Sequence, residues 1–435
     1  MKKNYHFIAF ILICTVIITM FSGCKNKEET TKTASTTDAE SIASIEHLSK
    51  TENVELEEIA DHLFEVTYTE DFDWGAEITP NENSSFACSG VQNGQYRGRN
   101  YDWYYADTDI CVIHATVTDK REHASVGVAD LSFIVEEDGS IDTTKIPFVT
   151  VDGLNDAGVC IQVNVTTAGE AGSTALKTET TEDDLSAVHV TRYILDYADT
   201  VEEAITLLSE RDIDSYFGGE ELHWMISGPA SDTDDTIKTI VVEVFEDGLH
   251  ITDDFVDDKP IMTNFNVSNF NGTVSSVGLG LGYERWQILN ENYEQANSVM
   301  GTFDLMEKVY FSKMYDLYGD RFWYSEYSLS NLSNYYTEEE LKEMLGEDTY
   351  NYYIENYGAV YYNPALWDGE TSINGDIDKT GILAPIVEKV AGTYNANEQD
   401  STLWITVHTA VYDLENLTLD LSVRESQDHL HFTID

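Results

Sequence analysis

The segment Cys88-Ser89-Gly90-Val91-Gln92-Asn93-Gly94-Gln95-Tyr96-Arg97-Gly98-Arg99-Asn100-Tyr101-Asp102-Trp103 carries a thiol, a guanidinium and a carboxylate on what reads as one hairpin. Asn-Gly between strand-like runs is the strongest short hairpin signal. Asn93-Gly94 therefore turns the chain back and returns Arg99 and Asp102 beside Cys88. A cation near a thiol favours the thiolate, which is the nucleophilic form. A carboxylate one step away orients an amine or the arginine. The same residues also read as a solvated Arg–Asp pair on an exposed hairpin.

The elements around the hairpin alternate in type. Apolar residues at helical spacing (Ile42, Ile45, Leu48, then Leu56, Ile59, Leu63) predict two short helices between Ala39 and Phe64. Strands are expected over Ile110–Val117, Ser125–Val135, Pro147–Val151 and Val159–Val165, followed by helix over 183–211. Asp199-Thr200-Val201-Glu202-Glu203 is a cap-and-acid helix start. Strands return at Leu222–Ser227, Thr239–Phe245 and Leu249–Thr252. Helices return near 283–297, 302–317, 337–346 and 380–391, and strands Thr402–Tyr412 and Leu417–Arg424 close the chain. This is a layered α+β pattern without the regular βαβ alternation of a dinucleotide fold. Neither a GxGxxG after a strand nor a P-loop is present.

Charge excludes one large class of function. Across 435 residues, 24 Lys+Arg against 80 Asp+Glu give a net charge of −56. Such a surface repels phosphate backbones, so nucleic-acid binding is excluded. It mildly favours neutral or cationic ligands over anionic ones.

The first residues point outside the cytoplasm. Lys2 and Lys3 precede the apolar run Phe7 to Phe21, the order of a signal peptide. That run is shorter than the roughly 20 residues a spanning helix needs. It ends in Phe21-Ser22-Gly23-Cys24, which resembles a bacterial lipobox with Phe21 in the usual Leu position. The resemblance implies cleavage before Cys24 and lipid attachment to its thiol, with residues 1–23 as the leader. Residues 24–40, polar from Lys25 onward, read as a flexible tether. The expected localisation is the outer side of a bacterial cell membrane, held by the lipid alone.

Of five cysteines, Cys14 and Cys24 belong to the leader and anchor. Cys111 and Cys160 sit in apolar strand runs and read as buried small hydrophobes. The three cysteines of the body cannot all be paired. No CxxC and no His/Cys cluster occurs, so a zinc site is not expected. Asn374-Gly375-Asp376-Ile377-Asp378 superficially resembles a calcium loop, but Lys379 and Pro385 stand where that loop needs Gly and Glu, so it reads as a turn capping the next helix.

Gly98-Arg99-Asn100-Tyr101-Asp102-Trp103 after a strand-starting cysteine resembles the opening of the choloylglycine hydrolase family, which includes bile salt hydrolases and penicillin V acylases. Asp152-Gly153-Leu154-Asn155-Asp156-Ala157-Gly158-Val159 through Asn164, Leu222-His223-Trp224, Met262-Thr263-Asn264 and Tyr283-Glu284-Arg285-Trp286 follow in the family's order. The resemblance implies a four-layer αββα sandwich of two antiparallel sheets, the N-terminal-nucleophile fold. It implies hydrolysis of linear amide bonds in N-acylated small molecules, with no metal or organic cofactor.

By that resemblance Cys88 supplies the nucleophilic thiol and, through its own α-amine, the base. Arg99 holds the thiolate and the substrate, and Asp102 binds the α-amine. Asn164 is the oxyanion donor, Asn264 orients the nucleophile end, and Arg285 stabilises transition-state charge. Bile salt hydrolases lose little more than an initiator Met, whereas here 87 residues precede the cysteine. The implied step is an autocatalytic cut between Ala87 and Cys88. Residues 41–87 are then a small helical propeptide and 88–435 the amidase domain. The tyrosine- and tryptophan-rich stretch at about 316–368 reads as an insertion that walls the cleft or covers it. The competing readings are a solute-binding lipoprotein, a thiol protease using His408 or His223, and a non-catalytic relative.

Overall fold

The computed structural model describes residues 54–76, 78, 86–103, 108–136, 139–166, 184–214, 216–217, 220–245, 247–272, 282–318, 337–347, 350–351, 354 and 405–434. The leader, the tether with Cys24, residues 41–53, the 374–378 turn, the helix expected at 380–391 and most of the 316–368 stretch lie outside them.

Where the second upstream helix is expected, the described residues form strands. β1 (Leu56–Ala60) and β2 (Leu63–Tyr68) pair antiparallel. Leu63, Phe64, Val66 and Tyr68 are all buried in the main hydrophobic core. The three- and four-residue spacing of Leu56, Ile59 and Leu63 fits a helix. The reason it does not form one is non-local: β2 lies beside β5 (Ile110–Ala115), from Leu63 opposite Ile110 to Tyr68 opposite Ala115. That pairing is parallel, so the large sheet is mixed and not wholly antiparallel. Parallel neighbours need a crossover, and here the hairpin of β3 (Phe86–Asn93) and β4 (Tyr96–Trp103) supplies it from the other sheet.

From β5 the chain runs as an antiparallel series through β6 (Ser125–Asp130), β7 (Thr150–Asn155) and β8 (Cys160–Thr166). The strand expected from Pro147 begins three residues later, because 146–149 form a 3₁₀ turn with Pro147 near its start. Short β9 (Asp184–Ser186) leads into helix α1 (Ala187–Tyr197). Helix α2 (Val201–Ser209) starts where the cap signal stands: Thr200 Oγ1 accepts from the Glu203 backbone N–H at 3.1 Å. β10 (Asp212–Asp214) pairs with β9, and β11 (Tyr216–Phe217) with β12 (Glu220–Ser231). With β13 (Asp234–Phe245) and β14 (Gly248–Thr252) this sheet has ten strands among the described residues.

Among the described residues the second sheet has six strands. β15 (Ile261–Met262) borders the β3–β4 hairpin, which is followed across by β16 (Ile405–Asp413), β17 (Thr418–Val423) and β18 (Leu430–Thr433). Helices α3 (Tyr283–Asn292), α4 (Val299–Glu307) and α5 (Phe311–Tyr318) accompany it, and α6 (Glu338–Leu345) begins with a Thr337–Glu340 capping box. Helices α1 and α2 pack on the large sheet against β7, β8 and β12, and α4 and α5 pack on the small sheet against β4 and β16. Strands β3 and β8 meet between the sheets. The order of layers is helix, sheet, sheet, helix, as the αββα expectation states.

Candidate active site

Period-two alternation decides what each strand offers to the interlayer. In the β3–β4 ladder Cys88 lies opposite Tyr101, Gly90 opposite Arg99 and Gln92 opposite Arg97. The loop is Gly94-Gln95, one residue later than the turn expected from Asn93-Gly94, because Asn93 still pairs with Tyr96. Across the gap, β7 contributes Asp152, and β8 contributes Cys160, Gln162 and Asn164. The interlayer beneath the hairpin is therefore polar, although all these side chains are buried.

Cys88 is fully buried and each of its polar atoms is engaged. Arg99 Nη2 lies 3.6 Å from Sγ. The Cys88 backbone N–H donates to Asn264 Oδ1 at 3.0 Å, and Arg285 Nη1 donates to the Cys88 carbonyl. Strand β15 explains why these groups are available. It pairs with β3 only at Val91 and Gly90, so the ladder stops before Cys88. Side chains then take the place of a backbone partner.

Arg285 also donates to Asn264 Oδ1 at 2.7 Å, and its Nη1 stands 3.8 Å from Asp102 Oδ2. Gly282, at φ +87°, opens helix α3 over this contact, and a Cβ there would lie 2.7 Å from Arg285 Nη2. Asn264 Nδ2 donates to the Val165 carbonyl. Asp102 Oδ1 accepts from Thr406 Oγ1 at 2.6 Å. In the uncut chain the Cys88 nitrogen thus meets Asn264, while the resemblance assigns that nitrogen to Asp102.

Asn164 comes to the same place through Thr263: its Nδ2 donates to the Thr263 carbonyl at 3.0 Å, and Thr263 precedes Asn264. The same carbonyl faces His223 Nε2 at 3.0 Å, and His223 Nδ1 faces Glu243 Oε1 at 3.2 Å. The structure thus gathers Cys88, Arg99, Asp102, Asn164, Asn264 and Arg285 into one buried network. Cys24 lies outside the described residues.

Electrostatics correct one expectation. Burial pushes the Cys88 thiol up to about 12, and the Asp102 charge adds to it. Arg99, the Asp102 backbone N–H and Arg285 act in the opposite direction and do not offset burial. With Cys88 inside a strand the thiol stays protonated near neutrality, so the proximity of Arg99 does not suffice to form a thiolate.

Several members of this network have no role assigned by the sequence motifs. Asp152 forms a buried ion pair with Arg99 at 3.0 Å and also meets His408 Nε2 at 2.9 Å and Tyr412 Oη. Burial alone would raise the Asp152 carboxyl, yet Arg99 and His408 hold it below its ordinary value. His408 and His223, the partners of the protease reading, are thus tied to Asp152 and to Glu243. Arg97 and Gln162 also lie in the interlayer. The signal that locates them is strand alternation: Arg97 stands two residues before Arg99, and Gln162 two before Asn164.

The sequence profile of the linear amide C–N hydrolases, choloylglycine hydrolase family, matches residues 84–316. No curated protein sequence matches the chain. Among solved structures, a mutant conjugated bile acid hydrolase from Clostridium perfringens is 13% identical with a TM-score of 0.37, covering 80% of this chain and 92% of that one. A penicillin V acylase from Agrobacterium tumefaciens is 14% identical with a TM-score of 0.34, covering 80% and 86%.

Proposed function

The chain belongs to the choloylglycine hydrolase family of linear amide C–N hydrolases, and we propose that within it Cys88 is the nucleophile of a self-processed amidase. The observation that carries this reading is the convergence on one residue. Separate side chains hold the sulfur, nitrogen and carbonyl of Cys88: Arg99, Asn264 and Arg285. A structural cysteine has no need of such a set.

Maturation begins with the protein as its own substrate. Cys88 Sγ attacks the Ala87 carbonyl carbon, the Ala87–Cys88 C–N bond breaks, and the nitrogen takes the thiol proton. The resulting thioester is hydrolysed by water, which restores the thiol and leaves a free α-amine. That amine has an ordinary pKa of about 7.7–8.0 and can serve as a base without a histidine. On a substrate amide the thiol proton passes to the amine as Sγ attacks, and from the amine to the leaving nitrogen. Water then releases the acyl group. Asn164 donates to the oxyanion. Arg99 and Arg285 supply positive charge, and Asp102 balances the new ammonium.

The upstream piece stays after the cut. Arg121 clamps it with hydrogen bonds to the Tyr68 and Glu70 carbonyls at 3.2 and 3.1 Å, and its guanidinium lies 4.2 Å from the Phe72 ring centre. Trp74 packs on Phe148, His189, Tyr193 and Tyr197. The segment through Trp74 thus acts as a permanent small subunit. Through Cys24 it also carries the lipid that holds the enzyme on the outer side of the membrane.

The substrate is a linear N-acyl amide with an apolar acyl arm. A panel of chromogenic N-acyl amides (phenoxyacetyl, fatty-acyl and bile-acyl) run against short peptides tests this. We expect turnover of acyl amides, loss of activity on iodoacetamide treatment and no response to chelators. Turnover of peptides alone would return the chain to the protease reading.

A further inference from the structure

Arg97 is wholly buried between the sheets, and its hydrogen-bond partners are all neutral. Nε donates to Gln92 Oε1 at 2.8 Å, Nη1 to Gln162 Oε1 at 3.1 Å and to the Met225 carbonyl at 3.4 Å, and Nη2 to Ser227 Oγ. Among the described residues it joins no ion pair. A guanidinium only donates. Gln162 must therefore turn its Oε1 toward Arg97, which commits its Nε2 to the other side. There Nε2 donates to Asn164 Oδ1 at 3.0 Å. That bond in turn commits Asn164 Nδ2 to the donor side, where one N–H meets the Thr263 carbonyl at 3.0 Å.

We propose that Arg97 and Gln162 are positioning residues that fix the amide of Asn164 so that its nitrogen, not its oxygen, faces the reaction centre. An unassisted side-chain amide can present either end, and a flipped Asn164 would aim an acceptor at the developing oxyanion. A permanently protonated donor at the far end removes that choice. The hairpin leaves room for the relay. A Cβ on Gly90 would lie 2.3 Å from Gln162 Nε2, so any side chain there would push the Gln162 amide out of its place. The Thr263 end is fixed independently by His223 Nε2 on the same carbonyl. This inference rests on the reading of Asn164 as the oxyanion donor.

The test is a double-mutant cycle on kcat, measured first with phenoxyacetyl p-nitroanilide and otherwise with the panel amide turned over fastest. Gln162→Glu keeps the size of the side chain and satisfies Arg97, but it turns an acceptor toward Asn164 Oδ1. We expect kcat to fall by about a hundredfold, the scale of losing one oxyanion donor, with KM and the melting temperature little changed. In an Asn164→Ala background the same substitution should have no further effect, since residues acting as a unit are not additive. An equal loss in both backgrounds would overturn the relay. Wild-type kcat in Asn164→Ala would instead overturn the reading of Asn164, leaving the two failures distinct. Should Gln162→Glu not fold, Gln162→Met, which has no amide to transmit polarity, is read in the same cycle.

Discussion

Arg97 and Arg99 occupy alternate positions on one strand, face the same interlayer and are both fully buried, yet the protein holds them in opposite ways. Arg99 has a counter-ion: Asp152 at 3.0 Å, with the Tyr101 ring 4.7 Å beneath its guanidinium. Burial works against its charge, but Cys88 and Asp152 outweigh burial and its pKa is raised. Arg97 has neutral acceptors, and burial lowers its pKa despite partial compensation from Cys160, Tyr412 and Asp152. Arg99 brings charge to a sulfur. Arg97 brings a direction to a chain of amides.

The largest expected effect separates the two. Arg99→Met leaves Asp152 buried without its cation, and breaking a buried pair costs about 3–5 kcal/mol. Arg97→Met leaves no orphaned charge, only unmet amide and hydroxyl acceptors at about 1–3 kcal/mol. Denaturant unfolding of both variants measures the gap. Equal losses would mean that Asp152 is not what stabilises Arg99.

The second effect is one of pH and belongs to the Arg99 side alone. Tyr101, under Arg99, donates to Asp130 Oδ2 at 2.5 Å. Burial raises the Asp130 carboxyl to about 6 from 3.8, against the pull of its Ser132 and Tyr101 bonds. A raised folded-state value means that the protonated form is the better tolerated one. Its contribution is complete below 3.8 and is lost as pH rises through about 6. Asp152 and Glu243, both held low, contribute in the opposite sense. Wild type must therefore be compared with Asp130→Asn. The variant should lack a loss on the order of 2–3 kcal/mol between pH 4 and 7. Parallel stability curves would show that Asp130 does not titrate there.

The smallest effect sharpens the Arg97 side. Gly90→Ala displaces Gln162 while both arginine side chains are kept. We expect kcat to fall about tenfold, roughly 1.4 kcal/mol, with KM unchanged. Steady-state kinetics on the best panel substrate checks it. An unchanged kcat would mean that Gln162 has space to yield while still holding Asn164.

The contrast between the arginines also marks where the sequence is legible. Arg99 stands in a motif with a chemical reading, close to a turn signal, and its hairpin with Cys88 forms with the loop one residue later than that signal implies. Most later strands follow from apolar runs whose partners are adjacent in the chain. The roles of Arg97, Gln162 and Asp152 are not legible locally, because they come from contacts between sheets, such as Arg97 with Gln162 and Arg99 with Asp152. The strands β1 and β2 read as helix for the same reason. Local spacing suited a helix, and a parallel partner some 47 residues further on decided otherwise. The Cys88 thiol value was also beyond a one-dimensional reading, since burial and not the neighbouring cation dominates it.

The central claim is that Cys88 acts from a chain end made by the protein itself. Mass spectrometry of the purified ectodomain, without its leader, tests it most directly. The account predicts two co-purifying fragments, the larger beginning at Cys88, and a single uncut chain for Cys88→Ala. Active wild-type protein with an intact Ala87–Cys88 bond would contradict it.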